Sequence, residues 1–403
     1  MTALVASIAA LFVGLLFSLA PFARKERWRA TVTPLASIIG SGFLICGPIL
    51  ARQFGSGAIA AMAILLVLAY VVGWVVRFNI IHVENHAKTL AFHEPFAWAM
   101  RVTQATLSVA YAVSVAYYLK LLAEFVLRPI GVAAASQALI SNVLVTAIIV
   151  ALTALTFSGS IRKIEHAAHA TVSIKLALIA GLLAGLGWWW GAHASGSTPL
   201  PAAQFSWHSV PVLLGLLITV QGFETSRYLG DTYDQHTRVQ TMRQAQWLSS
   251  AIYLSFLLLL TPLLDRAQSV EGVAGILDLM KFVAPLLGVF VLGAAFMSQL
   301  SAAIADSIGA GGLMVEVSRR RLTIRTAFIA SSLLSIAVVW LTDPFQVIAL
   351  SSRAFAAFYA QQCALALWVS VRTNAGGRVK QFGFVTIGLL CLIATVMGAP
   401  AES

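Results

Sequence analysis

Runs of about 20 mostly apolar residues, the length of helix that crosses a bilayer, recur along almost the whole chain. Twelve are distinguishable: 2–20, 31–53, 57–77, 103–127, 139–158, 168–190, 208–229, 245–264, 282–307, 324–342, 344–371 and 381–398. In hydrocarbon each backbone N–H and C=O must be satisfied inside the segment, and runs this long manage that as helices. Nor can the chain make a water-facing coat. Hydrophobic residues are 59% of the 403 and charged residues 10%, against roughly 25% charged in soluble domains. The expected fold class is an all-α integral membrane protein with about twelve transmembrane helices and no soluble domain.

Charge follows the same plan. The first run has no basic residue before it and the cluster RKERWR after it, so it reads as a membrane helix with its N-terminus outside rather than as a cleaved leader. That orientation puts 19 of the 26 Lys and Arg on the cytoplasmic side, as the positive-inside rule requires. Arg52, Arg128, Arg266 and Lys281 fall outside, and Lys120, Lys175 and Arg353 fall within runs. Trp188–Trp190 then lies at the outer interface. The net charge of +11 is thus a matter of topology. The expected partner is the lipid bilayer, not nucleic acid, and the expected location is a bacterial inner membrane. Cys46, Cys363 and Cys391 sit inside apolar runs without disulfide or zinc spacing and read as core residues.

Two runs carry helix breakers. SIIGSGFLICGPIL, 37–50, contains Gly40, Ser41, Gly42, Gly47 and Pro48. TVQGFETSRYLG, 219–230, contains Gln221, Gly222 and Glu224. Broken helix is tolerated in a bilayer where it lines a cavity or is buried in protein, and transporters bind substrates and ions at such breaks; close helix packing through small residues is the other use of glycine. The two runs lie five spans apart. An odd number of spans per repeat forces inverted topology.

These stretches are similar to motifs of the amino acid–polyamine–organocation permease superfamily, whose fold is the leucine-transporter arrangement of two inverted five-helix repeats. IIGSGFL resembles that family's first-core-helix motif, and QGFE its sixth-helix motif. SGSIRKIEHAAHATVSIKLALI is similar to the stretch joining the fourth and fifth core helices. SQLSAAIADSIGAGGLMVEVSRRR resembles the eighth helix and its basic exit loop. The resemblance covers about 31–398. It implies a first repeat over 31–190 and a second over 208–371. Residues 1–30 then form an extra helix and basic loop before the core, and 381–403 an extra helix and tail after it. One spare helix precedes the core here, whereas the family often carries its spares at the C-terminus. GDTYDQHTR also replaces the usual acidic, Asn-Pro-containing stretch after the sixth core helix.

The resemblance implies that Ile39, Gly40, Ser41, Gly42 and Phe43 receive a substrate α-carboxylate. The N–H groups of the following half-helix supply the donors. Carbonyls around Thr219, Val220, Gln221, Gly222 and Phe223 would receive the α-ammonium. It also implies that Lys175 stands where sodium sits in sodium-coupled relatives, and that the face bearing Ser298 and Ser301 points at it. Snorkelling to the interface is the plainer use of a lysine near a span end. Asp306 either pairs with Lys175 or sits idle in the headgroups. Glu224 is a proton carrier or the partner of Arg227, since intramembrane acids are functional candidates by default. Arg353, near mid-depth, meets an acidic substrate group or serves as a gate. Lys120 and Glu124 are spaced for a local pair. Tyr111, with Tyr117 and Tyr118, either caps the cavity or packs. His82 with His86, and His166 with His169, lack the order of a zinc helix, so no metal and no cofactor is expected.

The leading expectation is a secondary transporter of an amino acid or related amine, proton-linked or exchanging and independent of sodium. A transporter of an inorganic or organic ion on the same fold is the alternative. No serine–histidine pair or metalloprotease motif suggests an enzyme, and a channel or scaffold has less in its favour than a carrier.

Overall fold

The computed structural model describes residues 1–21, 25–40, 42–88, 95–157, 161–193, 202–230 and 232–401, with side chains except at 88, 134 and 156–171. The described residues are helical, with no strand among them. The helices are α1 Thr2–Leu19, α2 Glu26–Ile38, α3 Gly42–Phe54, α4 Ala58–Phe78, α5 Pro95–Leu127, α6 Ala134–Phe157, α7 Ile161–His193, α8 Ser209–Gly215, α9 Gln235–Leu260, α10 Ile276–Val283, α11 Pro285–Val317, α12 Ile324–Leu341, α13 Pro344–Thr373 and α14 Gly377–Met397. Between α8 and α9 the chain forms two short 3₁₀ segments, Leu217–Val220 and Phe223–Leu229.

Ten helical stretches among the described residues are long and apolar enough to cross a membrane. The twelve runs read from the sequence count 31–53 and 208–229 as spans of their own. Each is divided in the structure, so neither forms one continuous helix. The second half of the first run continues through α4 into a stretch reaching Ala87. The protein is an integral membrane protein. α5 and α11 are 33 residues each, about 50 Å at the helical rise, longer than the hydrocarbon is thick.

The outer helices are apolar all round, as lipid-facing helices are. Only Ala6 of α1 is buried, while Leu4, Leu11, Phe12, Leu15 and Leu19 are exposed. The inner layer is α2, α3, α5, α11 and α13. Its residues Leu35, Phe43, Tyr117, Leu287 and Phe355 are all fully or almost fully buried. α11 runs antiparallel to α5. Ser108 donates to the Ala310 carbonyl at 2.9 Å, and a Cβ at Gly309 would come within 2.9 Å of the Tyr111 ring. Polar seams also join the layers: Asn79 donates to both oxygens of Gln362, and Arg238 pairs with Glu84 at 2.7 Å.

α1 is held on α7 by small residues, the usual means of close packing where water supplies no drive. Cβ atoms placed on Gly181 and Gly185 would meet Ala6 at 2.7 and 3.1 Å. Gly191, farther along α7, has open space. Gly181→Leu is therefore expected to lower stability by about 1–3 kcal/mol, the cost of overpacking, and Gly191→Leu to leave it unchanged. Denaturant unfolding of the purified variants measures this. Equal midpoints for the two would remove the packing argument.

Candidate functional site

α2 stops at Ile38. Ile39 leaves the helical region (φ −80°, ψ 61°), and α3 begins at Gly42. Ser41, expected at the centre of this break, lies outside the described residues. A helix end leaves its last carbonyls without partners, and inside a membrane protein each must find one. The Leu35 carbonyl takes the N–H of Ile39 at 2.9 Å. Those of Ala36 and Ile39 accept from the Lys175 ammonium at 2.8 and 2.7 Å. The Ile38 carbonyl accepts from the Tyr253 hydroxyl at 3.0 Å. Lys175 is 1% exposed, so it does not snorkel. The long apolar stem reaches inward from α7 and the head closes the broken end of α2.

The second break is built the same way. α8 ends at Gly215, whose carbonyl accepts from the Ser352 hydroxyl at 2.6 Å, and Ser352 in turn accepts from the N–H of Ile218 at 2.9 Å. Tyr253 also donates to the Thr219 carbonyl, so one hydroxyl touches both breaks. Cys46 donates to the Thr219 hydroxyl at 3.3 Å. Gly222 has φ +117°, a conformation open to glycine. Its N–H is taken by the Glu224 carboxylate at 3.0 Å, and the same oxygen accepts from Tyr359 at 2.7 Å.

The breaks touch directly. A Cβ on Gly42 would lie 2.7 Å from the Thr219 carbonyl oxygen, and one on Gly222 would lie 2.7 Å from Cβ of Ser37. Ile39, Gly40, Gly42, Phe43, Thr219, Val220, Gln221, Gly222 and Phe223 are consequently all buried, and none of them lines the principal cavity. That cavity, of about 450 Å³, begins one turn away, at Ala36, Ser37 and Thr225. Tyr111, Ser301 and Asp306 form its inner end and Tyr228 and Glu316 its mouth. Tyr111 and Asp306 are buried, whereas Tyr228 and Glu316 are exposed.

Several expected pairings are replaced by others. Asp306 neither meets Lys175 nor lies idle in the headgroups. It is 2% exposed and accepts from Ser114 across the α5–α11 contact. Glu224 does not pair with Arg227, which donates to Gln362. Lys120 donates to the Thr342 carbonyl and Glu124 accepts from Gln137 at 2.8 Å, so the two make no local pair. Arg353 is exposed and donates to the Thr395 carbonyl of α14 at 2.8 Å, which takes it out of the candidate site. Its neighbour Ser352, one residue round the helix, is the one that reaches the break. Antiparallel contacts of Leu287 with Gly185 and Leu178 with Gly293 bring Ser298 within about a turn of Lys175, with no bond between them. The Ser298 hydroxyl, both ends of the Gln299 amide and Gln221 Oε1 are buried without partners among the described residues. The side chains of His166 and His169 lie outside the described residues. No group of metal-binding side chains occurs among the rest.

Ser114, Tyr253, Ser352 and Tyr359 were not singled out by the sequence. A hydroxyl within an apolar run is an ordinary core residue until its partner is known, and these partners lie on other helices.

A family model for APC superfamily transporters matches residues 20–398, leaving α1 outside the match. An uncharacterized protein of Aquifex aeolicus (strain VF5) is 36% identical over 361 residues, covering 88% of each chain. The fold is similar to that of a Na⁺-coupled sialic acid symporter solved in a substrate-bound, outward-open state. The TM-score is 0.53 at 14% identity, over 100% of this chain and 98% of that one, a likeness that concerns the fold alone. Broken helices meeting above a cavity, motifs of the expected order and these matches agree: the chain belongs to the APC superfamily of transporters and has a leucine-transporter-like fold.

Proposed function

We propose that this secondary transporter carries an amino acid or a related amine by alternating access, without sodium, and that residues 31–190 and 208–371 are its two inverted five-helix repeats. The observation that carries the reading is the Lys175 ammonium on the carbonyls of Ala36 and Ile39, directly behind the break. Carbonyl oxygens at the end of a half-helix are the kind of ligand that holds a coupling cation in broken-helix transporters. A side-chain ammonium tethered at that place makes a dissolved cation unnecessary. The sialic acid symporter is Na⁺-coupled; on the present reading this chain is not.

Substrate enters through the cavity, and the contacts Gly42–Thr219 and Gly222–Ser37 part to admit its carboxylate to the N-terminus of α3, where free N–H groups favour an anion. The cavity mouth at Glu316 then faces the cytoplasm and the N-terminus of α1 lies outside, in a bacterial inner membrane. Glu224 holds the Gly222 N–H through one carboxylate oxygen while the other has no partner among the described residues. It is the group best placed to exchange a proton as the second break opens.

Two outcomes test this in proteoliposomes. Amino acid or amine uptake is expected to be unchanged by replacing sodium with potassium, and to be lost in Lys175→Ala while the protein still reaches the membrane and purifies as a single species. Uptake at the normal rate by that variant at every pH would overturn the role of Lys175. Glu224→Gln is expected to flatten the pH dependence of uptake; an unaltered profile would exclude proton exchange at Glu224.

A further inference from the structure

The cavity lies on one side of the breaks. It runs beside α2 and the segment after the second break, at Thr33, Ala36, Ser37, Thr225 and Tyr228. α3 and α8, the other halves of the interrupted segments, occupy the opposite side. A carrier that works by alternating access needs a second opening there. α8 has seven residues, too few to stand by its own hydrogen bonds, so its position depends on what it touches. The chain beyond α14 lies across it.

Residues 398–401 cross α8 and end against α3. At the root, the Arg353 guanidinium of α13 holds the Thr395 carbonyl of α14 at 2.8 Å. A Cβ on Gly398 would lie 3.2 Å from Cγ of the same arginine, and Gly398 is buried although it follows the last turn of α14. In the middle, the N–H of Ala399 donates to the Pro211 carbonyl of α8 at 2.9 Å. The Ala399 carbonyl oxygen lies on Gly215, where a Cβ would come within 2.0 Å of it. Backbone meets backbone there because α8 ends in a residue without a side chain. At the far end, Ala401 lines a niche with Pro48, Ile49 and Arg52 of α3 and Phe345 of α13. Four residues without regular structure thus touch α13, α8 and α3 in turn.

We propose that residues 398–401 are a strap across the side opposite the cavity mouth: they pin α8 and α3 to the α13–α14 pair, and they come away when the protein opens on that side. The hold consists of one backbone hydrogen bond and close packing, weak enough to be undone in each cycle. The inference rests on the alternating-access part of the reading above and on none of its claims about substrate or sodium.

Cys46 of α3 is a native reporter. It is 1% exposed and donates to the Thr219 hydroxyl at 3.3 Å, so a thiol reagent reaches it when α3 parts from the second break. Cys363 of α13 and Cys391 of α14, 2% and 1% exposed, are internal controls. The measurement is the rate of N-ethylmaleimide labelling of each cysteine in the purified full chain, resolved by peptide mass spectrometry. Ala399→Pro removes the N–H given to Pro211, and Gly398 already has the extended ψ of 119° that a following proline favours. It is expected to raise Cys46 labelling about fivefold, the shift that follows loss of one hydrogen bond, and to leave Cys363 and Cys391 unchanged. Gly215→Ala, which drives a methyl group into the Ala399 carbonyl, is expected to do the same. An unaltered Cys46 rate in Ala399→Pro would overturn the strap. So would an equal rise at all three cysteines, which marks general loosening. No substrate enters the measurement: absence of amino acid or amine uptake beside a selective rise at Cys46 would overturn the substrate reading and leave the strap standing.

Discussion

Three carbonyl oxygens at the end of α2 organise the centre of this protein. A helix stopped in the middle of a membrane protein exposes acceptors that each cost several kcal/mol if left open. Lys175 takes two of them and Tyr253 the third. Those two donors come from α7 and α9, so the break in α2 also positions the helices around it. Tyr253 extends the arrangement to Thr219, and Ser352 completes it from α13. Five separate elements are thus tied to two short stretches of irregular backbone.

The same economy explains why the breaks are shut. Gly42 and Gly222 have no side chain where they meet Thr219 and Ser37, so the interrupted segments come together backbone to backbone and exclude the cavity. The cavity ends against this contact with an acid and a tyrosine on its flank. The residues of the breaks lie behind the contact, and the flanking residues Ala36, Ser37 and Thr225 lie on the cavity wall.

Much of this was legible in the sequence. Glycines flanked by apolar residues and a polar QGFE inside a span mark interruptions because no lipid-facing helix has use for them. The positions of both breaks follow from that, and the membrane character of the chain follows from its apolar runs; the burial of Lys175 is one of two readings the sequence leaves open. Side-chain partners did not. The i+4 rule suggests Glu124 for Lys120, yet the carbonyl it finds, that of Thr342, is remote in the chain. Arg353 draws attention by its charge, but helical phase turns it to α14 and gives the break to Ser352. Asp306 is ambiguous because its environment is made by α5, and the pairing of α5 with α11 is a tertiary fact. Where the answer depends on one helix alone the residues suffice; where it depends on rotation between helices they do not.

The seat of α1 on Gly181 and Gly185 of α7 has a mechanical consequence. The helix that bears Lys175 is not a lone staff in lipid. It is yoked to a second helix along its outer side, and any tilt of α7 would have to drag α1 and the annulus of acyl chains around it. The two helices thus present themselves to the bundle as one body. The lysine is thereby anchored in a two-helix unit, and the broken end of α2 is docked to that unit rather than to a single helix.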